Sequence, residues 1–163
     1  MIATKPKTEV IEKREAVEEV LLIYYERLYR LALRYVKNEA DALDVVQESA
    51  YKAVKEAEQI TDLAAAKTWV YRIVVNTALS LLRKNQRLTS LTEVTEPAAD
   101  ARYHDADLER AVSDLNEAQK TVLRLRFFED LKLEEIAAVT GEKTATVKSR
   151  LYRTLSELKE KLA

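Results

Sequence analysis

Residues 133–151 read Leu133-Glu134-Glu135-Ile136-Ala137-Ala138-Val139-Thr140-Gly141-Glu142-Lys143-Thr144-Ala145-Thr146-Val147-Lys148-Ser149-Arg150-Leu151. The stretch has the spacing of a helix-turn-helix. Ala137 is small where two helices must cross closely. Gly141, the only glycine in the chain, stands four residues later, where the turn needs a positive φ. Val147 stands six residues further on and is placed to anchor the second helix on a core, with Ile136, Val139 and Leu151 beside it. Thr144 is the expected N-cap of that second helix. The outward residues are then Thr146, Lys148, Ser149, Arg150 and Arg153, with Lys143 and Thr144 at the head of the helix. A polar, acid-free face of this kind suits base edges and phosphates in a major groove. A plain helical hairpin shares the spacing; the basic second helix and the position of the sole glycine favour DNA.

Upstream, Asn116 is placed to cap a helix carrying Val122, Leu123, Leu125, Phe127 and Phe128. Leu108, Ala111, Val112 and Leu115 form a shorter apolar period before it. Residues 88–106 lose the period and contain Pro97 and His104, as a linker would. Residues 107–163 thus read as a four-helix domain. Three helices are expected before the linker, over 9–37, 39–58 and 63–85. Residues 20–87 form the first domain and 1–19 an extension continuous with its first helix. Asn38 and Asp41 look like a capping box for the second helix, whose apolar stripe is Ala42, Val46, Ala50, Ala53 and Ala57. Thr61 or Asp62 is placed to cap the third, whose stripe includes Ala66, Trp69, Val70, Ile73, Val74, Thr77 and Leu81. The fold class is all-α, with two small helical domains joined by a linker.

Each helix of the first domain also has a polar face. Asp41, Asp44, Gln47, Glu48 and Tyr51 lie opposite the stripe of the second helix, an acidic face suited to a basic protein surface. Arg72, Asn76, Ser80 and Arg83 follow one another along the third helix at helical steps, with Lys84 and Arg87 extending them. Trp69 and Tyr71 stand near its start. Aromatics beside arginine can stack unpaired bases, and asparagine can bond base edges; a core position for Trp69 is the plainer reading.

The charge pattern sharpens this reading. The chain has 163 residues, with 27 basic and 28 acidic side chains and a formal net charge of −1. Residues 63–87 hold Lys67, Arg72, Arg83, Lys84 and Arg87 without an acid, and 143–154 hold Lys143, Lys148, Arg150 and Arg153 without one. Acidic stretches lie before and between them. Two basic segments on one chain suggest two polyanion contacts. One glycine excludes Gly-rich phosphate loops, and the absence of cysteine excludes disulfides and thiolate metal sites. One histidine leaves little for imidazole catalysis or a metal cluster. No enzyme activity, cofactor, metal or small-molecule substrate is expected. No apolar run approaches the roughly 20 residues of a membrane span and no secretory signal opens the chain, so a cytoplasmic protein is expected.

Four motifs stand in order along the chain: Asp41-Ala42-Leu43-Asp44-Val45-Val46-Gln47-Glu48-Ser49, Thr68-Trp69-Val70-Tyr71-Arg72-Ile73-Val74-Val75-Asn76, Leu125 to Ala137, and Thr146-Val147-Lys148-Ser149-Arg150-Leu151-Tyr152-Arg153. Together they resemble the extracytoplasmic-function sigma factors of bacteria, over roughly residues 20–160. The C-terminal half is similar to the cell-envelope-stress, lysozyme-responsive kind of Gram-positive bacteria. The resemblance implies that Asp41, Asp44, Gln47, Glu48 and Tyr51 dock on the clamp helices of the largest subunit of core RNA polymerase, with a second contact to the flap of the second-largest subunit. It implies that Trp69, Arg72, Asn76, Ser80, Arg83 and Lys84 read the −10 element of promoter DNA. Lys143, Thr144, Thr146, Lys148, Ser149, Arg150 and Arg153 read the −35 element, so Arg150→Ala is expected to reduce use of that element. It also implies a membrane-anchored anti-sigma partner and a free chain that is monomeric. Ser80 departs from the family pattern, standing where many members have aspartate.

Two other readings are weighed against this one. In the first, the chain is a stand-alone helix-turn-helix regulator whose residues 1–85 sense a ligand or dimerise. In the second, Glu134, Glu135, His104 and Asp105 form a helical carboxylate-metal site; the Glu-x-x-His pairs of such bundles are missing.

Overall fold

The computed structural model describes residues 7–89 and 106–163. The chain divides into two compact units, one on either side of the Glu96–Pro97 junction. All regular structure among the described residues is helical. His104, Asp105 and most of the expected linker lie outside those residues.

The first unit is a three-helix bundle. Helix α1 (Lys7–Val36) is unbroken over 30 residues, because Val17, Leu28, Leu31, Ala32 and Tyr35 recur on one side and are buried there. Lys13 is buried as well; its ammonium lies 3.1 Å from Glu9 and donates to the Glu58 carbonyl at 3.4 Å, tying α1 to the end of the next element. Lys37 ends α1 with φ 56°, its amide donating to the Leu33 carbonyl. Helix α2 (Glu39–Lys55) starts at Asn38, whose side chain accepts from the Asp41 amide at 3.0 Å. The Asp41 carboxylate, however, accepts from Asn85 Nδ2 at 3.2 Å, so it links α2 to the third helix. α2 stops three residues short of expectation, because Ala57–Gln59 tightens into a 3₁₀ turn and Ile60 turns inward, 2% exposed.

Asp62 caps a second 3₁₀ turn, Leu63–Ala65, accepting from the Ala65 amide at 2.9 Å. Helix α3 (Ala66–Thr89) follows, and so includes the first residues of the expected linker. Its core face is wider than the expected stripe: Val70, Tyr71, Val74, Val75 and Ala78 are all buried. Tyr71 meets Tyr24 edge-on with ring centres 6.1 Å apart.

The second unit holds α4 (Ala106–Ser113), α5 (Glu117–Leu123), α6 (Leu133–Thr140) and α7 (Thr144–Leu162). A full capping box opens α5, with Asn116 and Gln119 exchanging side-chain and backbone bonds at 2.9 and 3.1 Å. Beyond α5 the chain widens into a π turn, Arg124–Phe128. Its closing bond runs from the Glu129 amide to the Arg124 carbonyl at 3.2 Å. The extra residue turns Phe127 and Phe128 outward, 59% and 55% exposed. Asp130 then takes φ 54°, and Leu131 and Ile136 are fully buried.

Candidate nucleic-acid and polymerase interface

The helix-turn-helix is α6, the turn and α7. Gly141 has φ 71°, in the left-handed region, and the amides of Gly141 and Glu142 both donate to the Ala137 carbonyl, at 2.9 and 3.1 Å. An L-residue there would press Cβ on the following carbonyl. Ile136 and Val147 are fully buried, and Ala137, Val139 and Leu151 nearly so. One expectation fails locally. Thr144 is not the N-cap but the first helical residue, half-buried; Lys143 occupies the cap position, with no side-chain bond. An ammonium cannot accept from an amide, so the head of α7 is left open.

Thr146, Lys148, Ser149 and Arg153 are exposed on α7, as is Lys143 before it. Tyr152 is also exposed, at 59%, one turn beyond Lys148. Reading by charge alone passed over it; its signal was an aromatic at a helical step from Lys148 and Ser149. Arg150, expected on the same face, is half-buried and paired within the motif. Its Nη2 donates to Glu142 Oε2 at 2.8 Å and its Nη1 to Glu142 Oε1, so its fork is already occupied by a carboxylate. The guanidinium holds the Glu142 carboxyl below its ordinary value, against the opposing effect of burial. The carboxylate in turn raises Arg150.

On α2, Asp44, Gln47, Glu48 and Tyr51 are exposed on one face, with Asp41 half-buried at its edge. The face is less acidic than its sequence, since Lys52 lies 3.2 Å from Glu48 and Lys55 sits over the Tyr51 ring at 5.7 Å. On α3, Arg72, Asn76, Ser80, Arg83 and Lys84 are exposed, while Trp69 is half-buried. Tyr71 is excluded from stacking bases, because its ring is wholly inside the bundle. Between α2 and α3 runs a groove of about 290 Å³, lined by Glu48, Lys52, Asn76, Thr77, Ser80, Leu81 and Lys84. It joins the acidic face to the basic one. Lys52 belongs to it and was missed, because it interrupts an otherwise acidic run.

Among the described residues, no group of three or more His, Asp or Glu side chains is placed to hold a metal ion. No described helix is long and apolar enough to cross a membrane.

Residues 22–88 match the family model of sigma-70 region 2, and residues 105–158 that of sigma-70 region 4. The chain is 42% identical over 159 residues to RNA polymerase sigma factor SigV of Bacillus subtilis, covering 92% of this chain and 96% of that protein. It is 33% identical over 160 residues to the ECF RNA polymerase sigma-E factor of Haemophilus influenzae, covering 85% and 83%. In fold it is similar to the sigma factor RpoE of Bartonella quintana, solved in complex with the anti-sigma factor NepR, with a TM-score of 0.68 at 24% identity over 89% of this chain and 95% of that one. Both units are therefore accounted for, which removes the reading of residues 1–85 as a sensing or dimerisation domain. The chain belongs to the extracytoplasmic-function sigma factors of RNA polymerase, with region 2 in its first unit and region 4 in its second.

Proposed function

We propose that this sigma factor reads promoters by two separate DNA contacts while its acidic α2 face holds core polymerase. The observation that carries the reading is the pair of acid-free basic faces, on α3 and α7, one in each unit. The α7 face, with Lys143, Thr146, Lys148, Ser149, Tyr152 and Arg153 (Thr144 at its head), meets the −35 element in the major groove. Two or three phosphate contacts there are weak alone and steeply salt-dependent, which is why the second contact and the polymerase are needed. The α3 face, with Arg72, Asn76, Ser80, Arg83 and Lys84, follows one strand of the −10 element. The half-buried Trp69 edge and the polar groove beside Asn76 and Ser80 suit an unstacked base.

Asp44, Gln47, Glu48 and Tyr51, with Asp41 at their edge, dock on the clamp helices of the largest polymerase subunit. The exposed Phe127 and Phe128 offer an apolar surface to the flap of the second-largest subunit. Solved proteins of this fold include a sigma factor bound to an anti-sigma factor, and an anti-sigma factor anchored in the membrane would cover the α2 face and keep this chain from polymerase. The free chain acts as a monomer in the cytoplasm, where its DNA lies, and serves cell-envelope-stress genes.

Permanganate reactivity of unpaired thymines tests the α3 assignment. With core polymerase and the chain bound to a promoter, the −10 element is expected to open. Arg72→Ala with Asn76→Ala is expected to lower that reactivity at least tenfold, while polymerase still binds the chain. Equal opening by the double variant would remove α3 from the role.

A further inference from the structure

Glu142 and Arg150 stand eight residues apart, one in the turn and one in the recognition helix, and each is rooted separately. The Glu142 backbone is fixed by its amide bond to the Ala137 carbonyl at 3.1 Å, behind the left-handed Gly141. The Arg150 backbone carbonyl accepts from Thr154 Oγ1 at 2.7 Å, and the helix around it is held by buried Val147, Leu151 and Thr154. Both carboxylate oxygens of Glu142 meet the guanidinium fork. The side chains are 30% and 24% exposed, so the pair is partly withdrawn from water. Such a fork is a more selective and less easily exchanged contact than a single lysine bond.

Position on α7 points the same way. At about 100° per residue, Arg150 lies only about 60° round the helix from the fully buried Val147. Lys148, Arg153 and Ser149 lie about 100°, 120° and 160° from it. Arg150 is thus the polar residue of this group nearest the core, at the margin of the face that would enter a groove. Its charge is cancelled by a carboxylate that belongs to the turn.

We propose that Glu142 is a positioning residue that holds Arg150 as a closed latch between the turn and the recognition helix, so that Arg150 takes no phosphate when α7 is on DNA. The inference rests on the reading of α7 as a duplex-facing helix. The latch fixes the angle of α7 against α6 and removes one indiscriminate phosphate contact. Binding then depends more on the side chains at the centre of the face.

The test uses the whole chain and a fluorescent mixed-sequence DNA duplex, with affinity followed by anisotropy over a range of salt. Each phosphate contact contributes about 0.9 to the slope of log affinity against log salt. The double variant Glu142→Gln, Arg150→Gln is expected to keep the slope of the unsubstituted chain. Glu142→Gln alone is expected to steepen it by about 0.9, because the released Arg150 then takes a phosphate. A double variant whose slope is shallower by about 0.9 would show Arg150 on a phosphate in the complex and overturn the latch. Thermal unfolding without DNA supplies the independent reading. The two single substitutions are expected to lower Tm by more, in sum, than the double variant does; additive losses overturn the closed pair whatever DNA does. A chain whose duplex affinity does not respond to salt, with the Tm coupling present, overturns the duplex-facing reading of α7, and the phosphate part of the proposal with it, leaving only a structural pair.

Discussion

At Gly141 a backbone angle of 71° sets the geometry of the whole C-terminal motif. Gly141→Val would force a β-branched residue into the left-handed region, at about 2 kcal/mol or more. The expected result is a lower midpoint in the thermal unfolding of the chain, with duplex affinity lost in parallel. An unchanged midpoint would mean that the turn relaxes without the left-handed angle. The Glu142–Arg150 pair gives a second residue-scale expectation. Glu142 is lowered from an ordinary value of 4.5 by its bonds to Arg150. A carboxyl depressed in the folded state adds stability above its unfolded value, and loses it as pH falls through the folded one. The stability gap between the chain and Glu142→Gln should therefore be full above about pH 5, no more than about 1 kcal/mol, and close under more acid conditions. Denaturant unfolding at several pH values measures it; a gap that widens in acid would contradict the pair.

Among the elements, those with a clear apolar period were legible. The stripe Ala42, Val46, Ala53 on α2 and the anchors Ala137, Gly141, Val147 of the helix-turn-helix follow directly from spacing, and the structure buries or bends them as spacing requires. Departures came where tertiary packing or local geometry overrides the period. The end of α2 is set by Ile60 turning inward, which no cap signal announces. The π turn leaves the composition of its helix unchanged, yet turns Phe127 and Phe128 to the surface. Among the described residues, glycine marks one of three left-handed positions: Lys37 and Asp130 take the others. The sites divide the same way. Exposed faces of α2, α3 and α7 could be drawn from the sequence, but the capture of Arg150 by Glu142 and the inward ring of Tyr71 depend on side-chain direction. At this scale, Asp44→Ala with Glu48→Ala removes two exposed carboxylates and no buried group. It is expected to weaken co-elution with core polymerase at least tenfold and leave the unfolding midpoint within about a degree, since exposed substitutions cost within about 0.5 kcal/mol. Undiminished co-elution would move the polymerase contact off this face.

For the molecule as a whole, a net charge of −1 conceals a division of labour along the chain. Basic faces on α3 and α7 belong to different units, and the acidic face of α2 adjoins the first of them across the groove. Neither basic face has enough cations for tight binding at physiological salt. In the proposed reading the two faces, held together by polymerase, would combine two modest contacts into one selective one, as linked sites do. The direct measurement is transcription in vitro with core polymerase, this chain and a promoter template, beside templates in which the −10 or the −35 element is scrambled. The account predicts initiation at a defined start site only when the chain is present, strongly reduced by scrambling either element. Initiation that is indifferent to the chain, or unaffected by scrambling either element, would contradict it.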